Sequence, residues 1–371
     1  MKLEQGIQLE QALQAFDFGG EIVGAARYGG GHINDTFAVY VQQPDGNSKR
    51  YILQRINTDI FKKPYELMEN ILNVTEYLKK IIIKNGGDPL RETLTVMKTK
   101  SGNACFTDSE QGVWRCLLFV ENTLCLEKVE KDEHFYNAAK SFGNFLRLLE
   151  NYPADTLHES IEKFHDTRNR YANFEKAVAE NKADRAANVQ AEIDFVRARK
   201  EDCAYLMDLL ERGMLPLRVT HNDTKINNIL IDEATGEGLC IIDLDTIMPG
   251  LCLNDFGDSI RFGATTALED EADLSKVHFD MHLYEIYTKG YLEAAGEALT
   301  VMEKACLPWG AKLMTLECGI RFLTDYLDGD TYFKIHRPGQ NLDRARNQFK
   351  LVQDMEEKWT EMQAVVKKYS N

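Results

Sequence analysis

The feature that most constrains this chain is a pair of apolar runs, each bordered by polar side chains, in the middle of the sequence. The first stretch reads Val219-Thr-His-Asn-Asp-Thr-Lys-Ile-Asn-Asn-Ile-Leu-Ile231, and the second reads Leu239-Cys-Ile-Ile-Asp-Leu-Asp245. A turn sequence, Glu233-Ala-Thr-Gly236, separates them and predicts that 229–231 and 239–242 pair as a β-hairpin. We therefore expect both groups of polar residues to emerge at one end of that hairpin.

These polar side chains have the composition that transfer of a phosphoryl group from a nucleotide requires. Asp223 is the candidate general base, which orients an attacking hydroxyl and takes its proton late in the reaction. Lys225 carries a charge that can meet the moving phosphoryl group. Asn228 and Asp243 offer the oxygen atoms that Mg²⁺ prefers, with Asp245 as a third candidate metal ligand.

A plainer interpretation is that the residues around His221 and Asp223 form a polar turn with a capping role. His221 itself is expected to be a packed, hydrogen-bonding residue that fixes the loop, rather than a ligand. The run that ends in Asp243 and Asp245 weakens the plainer interpretation, because buried strands do not end in two acids without a charge partner.

The periodicity of apolar residues predicts an α+β fold. Period 2 predicts strands at 21–28, 36–42, 50–56, 93–99 and 113–120, and one amphipathic helix is predicted at 64–83. From residue 132 the period becomes 3.6, which predicts helices at 132–150, 166–181, 184–199, 201–212, 271–296, 310–327 and 341–369. We expect an N-terminal five-stranded antiparallel sheet with one main helix, followed by a larger, mainly helical C-terminal lobe.

The change of period sets the predicted lobes at 1–122 and 123–371, with a helical insertion at about 155–212. The net charge of −15 argues against a nucleic-acid-binding surface. The 8 cysteines include no C-x-x-C pair, which favours a reducing compartment. No apolar stretch approaches membrane-spanning length, about 18 residues. We expect a cytoplasmic monomer or weak dimer with no membrane partner.

A glycine-rich turn, Gly29-Gly30-Gly31-His32-Ile-Asn34, separates the first two predicted strands. Backbone without side chains can lie over phosphates and point its N–H groups at them. Ordinary hairpin chemistry is the alternative explanation for the glycines.

His221-x-Asp223-x-Lys225-x-x-Asn228, the strand-borne Asp243, the glycine-rich turn and the helical C-terminal half together resemble the aminoglycoside phosphotransferase family. That family belongs to the protein-kinase-like superfamily, and the resemblance spans nearly the whole chain in the same order. It implies a bilobal protein-kinase-like fold with ATP and Mg²⁺ as cofactors. In it Asp223 is the catalytic base, and Asn228 and Asp243 hold Mg²⁺.

The resemblance also implies roles for residues outside the central block. The turn from Gly29 to Asn34 covers the phosphates, and Glu121 lies in the hinge segment that meets adenine. Asp255 occupies the place of a structural acid that braces the catalytic loop. The string Asp255-Phe-Gly257 is therefore a decoy for the metal-binding motif, because Asp243 directly follows the hairpin.

Longer strings resemble the branch of the family that acts on N-acetylhexosamines. They are Gly29-Gly-Gly-His-Ile-Asn-Asp-Thr-Phe37, Tyr51-Ile-Leu-Gln-Arg-Ile-Asn57, His221-Asn-Asp-Thr-Lys-Ile-Asn-Asn228 and Ile242-Asp-Leu-Asp-Thr-Ile-Met-Pro-Gly250. This implies a sugar substrate, GlcNAc or GalNAc, phosphorylated at its anomeric hydroxyl. Two alternatives stay open: a kinase for another small alcohol, of the aminoglycoside, choline or homoserine type, and a catalytically silent nucleotide-binding protein.

One position departs from the pattern of kinase-like proteins, which place a lysine on the third strand to hold the nucleotide phosphates. The equivalent run here is Leu53-Gln54-Arg55. Strand alternation lets only one of Gln54 and Arg55 point into a cleft. Arg55 is the candidate replacement, and a different way of holding the phosphates is the alternative. The helix partner, Glu66 or Glu69, is equally open.

We place the sugar site in the helical lobe, near Phe164-His165-Asp166 and within 321–337. A sugar needs directional polar groups and an aromatic face. The alternative is that these are ordinary loop and helix residues. The candidate sugar contacts are His165, Arg321, Asp325, Tyr332 and His336.

Overall fold

The computed structural model describes residues 6–29 and 33–370, so Gly30, Gly31 and His32 of the glycine-rich turn lie outside it. The chain forms two compact units. The first takes in the chain up to Leu124, together with Thr156–Ile161 and Leu230–Met248. The second takes in Cys125–Asp155, Glu162–Ile229 and the chain from Pro249 onward.

An antiparallel sheet forms the centre of the first unit, with strand order β1-β2-β3-β6-β4 and with β5 paired to β6. The predicted sheet is confirmed, with two differences. The strand predicted at 93–99 is reduced to two residues, and the two-residue β5 was not predicted because so short a segment carries no period. The strands are β1 Glu21–Arg27, β2 Asp35–Gln42, β3 Ser48–Arg55, β4 Val96–Met97, β5 Phe106–Thr107 and β6 Val113–Leu118.

Strand alternation gives this sheet two different faces. One face is apolar and packs against the buried side of helix α1 (Ile7–Ala15). The opposite face carries Thr36, Gln54 and Arg115. Helix α2 (Pro64–Lys84) buries its predicted stripe. The apolar face and α1 share one core, which includes Leu9, Ala12, Leu13, Phe37, Val39, Val41, Tyr51, Leu53, Trp114 and Cys116.

The predicted central hairpin is confirmed. Strands β9 (Ile229–Asp232) and β10 (Gly238–Ile241) are neighbours in a three-stranded sheet of order β10-β9-β7, where β7 is Thr123–Leu124. Two further short strands, β8 (Arg218–Thr220) and β11 (Met248–Gly250), precede and follow the hairpin in the chain.

The second unit is helical around a single large apolar core. Phe256 lies at its centre, with its ring 5.3–6.2 Å from the rings of Tyr284, Tyr287 and Tyr291. Among the described residues, no helix is both long and apolar enough to cross a membrane. The helices are α3 Asp132–Leu148, α4 Thr167–Glu180, α5 Gln190–Arg197, α6 Lys200–Glu211, α7 Cys252–Gly263, α8 Met281–Ala295, α9 Val301–Asp328, α10 Gln340–Glu357 and α11 Trp359–Tyr369.

The structure differs from the helix predictions at α7, at the starts of α9 and α8, and at the final helix. Helix α7 was not predicted, because its two glycines and two aspartates have low helix propensity. Helix α9 begins at Val301 rather than 310, since Thr300 and Glu303 form a capping box and Pro308 is accommodated inside the helix. Helix α8 begins at Met281 rather than 271, and the predicted final helix is divided at Lys358.

Helices α7 and α9 meet at a pair of glycines. A methyl group added at Gly257 would lie 2.2 Å from the carbonyl oxygen of Gly310. We expect Gly257→Ala to push the helices apart and lower the free energy of unfolding by about 1–3 kcal/mol, as overpacking does. A urea melt measures this, with Gln363→Ala on the exposed side of α11 as the control. Equal midpoints for Gly257→Ala and wild type would contradict the prediction.

Candidate active site

The loop 221–228, which follows β8, is held from below by the first turn of α7. The carboxylate of Asp255 accepts the backbone N–H of His221 at 2.8 Å and that of Asn222 at 2.7 Å. Two buried N–H groups that no sheet or helix satisfies thereby gain a charged acceptor. The predicted brace at Asp255 is confirmed, and the Asp-Phe-Gly string is part of a helix.

The second turn of α7 fixes the same loop at Thr224. Asp258 accepts the Thr224 N–H at 3.0 Å, and the Ser259 hydroxyl donates to the Thr224 carbonyl oxygen at 2.7 Å. The Thr224 hydroxyl donates back to the carbonyl oxygen of Asp255 at 2.6 Å. The loop can then hold Asn222 in the left-handed region, with φ 63°.

The pKa values of the two acids of α7 are shifted in opposite directions. Burial raises the pKa of Asp255, because its carboxylate has lost water. Burial acts the same way on the pKa of Asp258, but the charges of Arg261 and Lys225 outweigh it and lower that pKa. Asp258 is therefore the securely ionised acid beneath the loop.

His221 packs as the sequence predicted. Its ring is fully buried and lies 5.7 Å from the ring of Phe142 and 6.2 Å from that of Phe145, both on α3. Its Nδ1 atom accepts the backbone N–H of Asp223 at 3.3 Å. His221 thus orients the residue that carries the candidate base.

Each carboxylate oxygen of Asp223 has a defined neighbour. Lys225 Nζ lies 2.7 Å from Oδ1, and the amide nitrogen of Asn228 donates to Oδ2 at 3.2 Å and to the Asp223 carbonyl oxygen at 2.8 Å. Burial acts to lower the pKa of Lys225, but the charges of Asp223 and Asp258 outweigh it and raise that pKa. The carboxylate is therefore fixed beside a permanent positive charge while its side chain stays 28% exposed.

Two of the three candidate metal ligands offer oxygens that fit Mg²⁺. Asn228 spends its amide nitrogen on Asp223, so its amide oxygen is the atom left for a cation. Asp243 is exposed and lies in the left-handed region, with φ 58°, directly before a 3₁₀ turn, Leu244–Thr246. The described residues contain no group of three or more His, Cys, Asp or Glu arranged for a metal. A Mg²⁺ ion completed by phosphates and water needs fewer protein ligands than that.

The structure gives Asp245 a different role from the predicted one. One of its oxygens is ion-paired with Arg115, and the other accepts the amide N–H of Asn34 at 2.6 Å. Its side chain is only 5% exposed. Because both oxygens already have partners within the first unit, the structure does not favour Asp245 as a metal ligand.

The glycine-rich turn is described only at its two ends. Gly29 has φ 75°, a conformation that L side chains rarely adopt, and the space beside its Cα is open. Asn34 accepts the backbone N–H of Asn57 at 2.9 Å and donates to Asp245. Gly30, Gly31 and His32 lie outside the described residues.

Arg55 does not share a face with Gln54. It lies beside Trp114 in the register of β3 and β6, with its Nε atom 3.8 Å from Asp108. Gln54 instead contacts Arg115 across the strands, where the Arg115 Nε donates to its side-chain oxygen at 2.8 Å. The structure therefore does not favour Arg55 as the replacement for the third-strand lysine.

The remaining first-unit candidates have local partners. Glu121 forms a two-point ion pair with Arg50. Glu69 lies 3.1 Å from Nε2 of His158, and Glu66 lies 3.9 Å from its Nδ1. In the described part of the chain, neither Glu66 nor Glu69 pairs with a cation of the sheet.

A cleft of about 370 Å³ opens in the second unit. Three of the five predicted sugar contacts line it: Arg321, Asp325 and Tyr332. The guanidinium of Arg321 lies 5.5 Å from the ring of Phe164, 6.0 Å from that of Tyr332 and 5.4 Å from that of Phe333. Tyr332 is 64% exposed. The lining includes Arg170, Asn173, Arg321, Thr324, Tyr332 and Phe333.

Asp325 also lines the cleft, and its carboxylate is already hydrogen-bonded within the protein. Its two oxygens accept backbone N–H groups of Thr331, Tyr332 and Phe333, at 2.7–2.9 Å, and the amide of Asn341 at 2.8 Å. Asp325 thus makes four hydrogen bonds within the protein. We infer that it orders the loop that carries Tyr332 and does not itself bind a ligand.

His336 is exposed and is not among the residues that line the cleft. Its backbone N–H donates to the side-chain oxygen of Gln340 at 2.7 Å. The structure therefore gives no support to a sugar contact at His336.

His165 belongs to a buried polar cluster that was not predicted. Its Nδ1 atom lies 3.0 Å from Glu317, and its Nε2 atom lies 3.5 Å from the carbonyl oxygen of Asn222. Arg170 approaches the same Glu317 oxygen at 3.7 Å. Burial acts to raise the pKa of Glu317, but the nearby His165, Arg170 and Arg321 outweigh it and lower that pKa. The cluster thus joins the cleft to the 221–228 loop within one unit.

A signal for this cluster was present in the sequence. Glu317 and Arg321 are four residues apart on α9, a spacing that puts both side chains on one face of a helix. For Arg115 the signal is a lone charge inside the apolar run Val113–Val120.

Comparison with known proteins places this geometry in a family. Three solved structures match nearly the whole chain at 13–16% identity, which shows the fold alone. An aminoglycoside phosphotransferase from Alicyclobacillus acidocaldarius has a TM-score of 0.61, and the match covers 99% of this chain and 97% of that one. An amicoumacin kinase (13% identity, 96% and 94% covered) and a microcompartment-associated aminopropanol kinase (16%, 95% and 97%) both have TM-scores of 0.59.

The predicted α+β, protein-kinase-like fold is confirmed by these similarities. A match to the phosphotransferase enzyme family extends over residues 24–299, about three quarters of the 371 residues. It includes the glycine-rich turn, the 221–228 loop and helix α7. This chain therefore belongs to the phosphotransferase enzyme family.

Proposed function

We propose that this protein is an ATP- and Mg²⁺-dependent kinase that phosphorylates the anomeric hydroxyl of an N-acetylhexosamine, GlcNAc or GalNAc. The observation that carries the proposal is the environment of Asp223. Its carboxylate is fixed by Lys225 and Asn228, on a loop that Asp255 holds through two backbone N–H groups. A base oriented in this way suits phosphoryl transfer, which depends chiefly on positioning and charge.

In the proposed reaction, Asp223 accepts a hydrogen bond from the C1 hydroxyl of the sugar and takes its proton as the oxygen attacks the γ-phosphorus of ATP. The O–P bond to the sugar forms as the bond to ADP breaks. Lys225, now 2.7 Å from Asp223, is assigned to the charge that moves with the phosphoryl group. Asn228 and Asp243 are assigned to Mg²⁺, which when bound neutralises negative charge on the phosphates.

The nucleotide roles rest on the resemblance and on similar proteins. The amicoumacin kinase was solved with AMP-PNP and Ca²⁺, and a spectinomycin phosphotransferase of TM-score 0.51 was solved with ADP. We assign the turn from Gly29 to Asn34, with Gly30, Gly31 and His32, to the phosphates. The segment at Glu121 is assigned to adenine.

The chemistry of the second-unit cleft supports a neutral acceptor. The acids Glu180 and Asp328 at its rim are both paired with Lys182, at 3.1 and 2.9 Å. Arg321 forms no ion pair with any described residue and lies among three aromatic rings. An aromatic surface beside unspent N–H donors suits the ring and the oxygens of a sugar. The positive charge of the Arg321 guanidinium repels the ammonium group of an aminoglycoside or a choline-type alcohol.

The test is a panel of N-acetylhexosamines, hexoses, aminoglycosides and amino alcohols with Mg²⁺–ATP, scored by phosphorus NMR. We expect an anomeric phosphate signal with GlcNAc or GalNAc. Phosphorylation of an amino alcohol or aminoglycoside alone would replace the sugar assignment. Binding of ATP without transfer to any acceptor would support a silent nucleotide-binding protein instead.

Arg321→Ala is expected to raise the KM for the sugar about tenfold or more, because hydrogen bonds to a charged group are lost. The KM for ATP should not change, since Arg321 belongs to the cleft. Steady-state kinetics with each substrate varied in turn measures both constants. The control is Arg212→Ala, an exposed arginine at the end of α6. A rise in the KM for ATP equal to that for the sugar would remove Arg321 from the acceptor site.

A further inference from the structure

A row of polar side chains crosses three strands of the first unit, on the face of the sheet opposite α1. Thr36 is the register partner of Gln54, and Gln54 is the register partner of Arg115. Gln54 donates to the Thr36 hydroxyl at 3.0 Å and accepts the Nε–H of Arg115 at 2.8 Å. The row is therefore one hydrogen-bonded chain through β2, β3 and β6.

The row ends in a buried ion pair. Arg115 is paired with Asp245, and their side chains are 3% and 5% exposed. The other oxygen of Asp245 accepts the amide N–H of Asn34, whose own oxygen accepts the backbone N–H of Asn57. Asp245 thus ties β6 to the end of the glycine-rich turn, and it lies two residues after Asp243.

The candidates for the lysine–glutamate pair of kinase-like proteins all have other partners in this structure. Glu66 lies 3.1 Å from Lys63, and Glu69 lies beside His158. Arg55 faces Asp108 on the opposite side of the sheet. Among the described residues of the first unit, Arg115 and Asp245 form the ion pair in which both side chains are less than one-tenth exposed.

Stability alone is a weak reason for such a pair. Taking two charges out of water is unfavourable, and replacing both by apolar side chains of similar volume is often neutral or stabilising. Breaking the pair by removing one partner is strongly destabilising. This difference separates a role in holding the fold from a role in placing the groups that the pair connects.

We propose that Arg115 and Asp245 are positioning residues that hold the nucleotide-binding turn and the metal-binding turn of the first unit in register. They take the place of the strand lysine and its helix glutamate. This rests on the proposed function, which assigns Asn34 to the nucleotide and Asp243 to Mg²⁺. Asp245 acts through Asn34 on one side and through the backbone of the 3₁₀ turn Leu244–Thr246 on the other.

The test is the double variant Arg115→Met/Asp245→Leu, which removes both charges together. We expect its thermal unfolding midpoint to stay near that of wild type, because the gain from replacing the pair by apolar groups offsets the hydrogen bonds that Gln54 and Asn34 lose. Its Kd for Mg²⁺–ADP, measured by calorimetry, should rise about 10- to 100-fold, the range found when groups that orient metal ligands are removed. The KM for ATP should rise with it, and the KM for the sugar should not.

The matched control is Arg197→Gln/Glu175→Gln, which removes an exposed two-point ion pair of the second unit. Both the Kd for Mg²⁺–ADP and the unfolding midpoint should match wild type there. A double variant at 115 and 245 that folds and binds Mg²⁺–ADP like wild type overturns the proposal.

If that double variant does not fold, Arg115→Lys decides, since it keeps the charge and loses the planar fork. We expect a raised Kd for Mg²⁺–ADP at an unfolding midpoint near that of wild type, and an unchanged Kd overturns the proposal. Failure of the proposed function gives a different result, because wild type itself would then bind no Mg²⁺–ADP or form no sugar phosphate.

Discussion

Asp223→Asn is expected to lower kcat about 100- to 10,000-fold, the usual contribution of a positioned general base. The amide is nearly isosteric with the carboxylate, so Asn228 and the backbone of the loop keep a neighbour of the same shape. Mg²⁺–ADP should bind with nearly unchanged affinity, and the unfolding midpoint should stay near that of wild type. Steady-state kinetics, calorimetry and a thermal melt on one preparation measure the three quantities.

The matched control for this change is Asp208→Asn, on the exposed side of α6, where Asp208 pairs with Arg168 at 3.2 Å. Exposed pairs of this kind contribute little to stability, and this one is remote from the loop in the sequence. It should leave kcat and nucleotide affinity unchanged. Undiminished turnover in Asp223→Asn would remove Asp223 as the base and, with it, the central support for a kinase.

Asp255→Asn has the second largest expected effect, and it should act on stability and turnover together. The asparagine oxygen can accept one of the two N–H groups, from His221 or Asn222, while its NH₂ group faces the other. One buried N–H without an acceptor costs about 1–3 kcal/mol of unfolding free energy. The loop then shifts, and misplacing a base by about 1 Å can lower kcat on the order of 100-fold.

A urea melt and steady-state kinetics measure these two effects of Asp255→Asn. The contrast with Asp223→Asn is diagnostic, because that variant should lose turnover without losing stability. Wild-type stability with reduced turnover would show that Asp255 does not act by bracing the loop. Reduced stability with wild-type turnover would show that the loop does not depend on its two N–H bonds to α7.

The parts of the site that could be predicted lie close together in the sequence. The hairpin follows from two apolar runs and one turn, and the spacing from His221 to Asn228 places a base beside a cation within a single loop. Even Asp255, about thirty residues away, follows from the family order of motifs. The hairpin and the loop are set by local geometry, which a sequence pattern reports directly, whereas the role of Asp255 comes from the resemblance to the family.

The parts that could not be predicted are assembled from distant residues. Arg115 and Asp245 are 130 positions apart, and Asn34 and Asp245 are 211 apart. No spacing rule relates such residues. The sequence therefore suggests a metal ligand at Asp245, whereas in the structure its two oxygens contact Arg115 and Asn34. Asp325 illustrates a related difficulty, since a buried acid that accepts backbone N–H groups and an acid that binds a ligand look alike in a sequence.

Helix α7 has one consequence for how this enzyme can tolerate change. Its two acids hold the 221–228 loop, which carries the candidate base, while Gly257 on the same helix lies against the backbone of α9 with no room for a methyl group. A substitution inside α7 is therefore expected to change both the packing of the second unit and the position of the 221–228 loop. Substitutions on the solvent-facing sides of α5 and α6 are expected to affect neither.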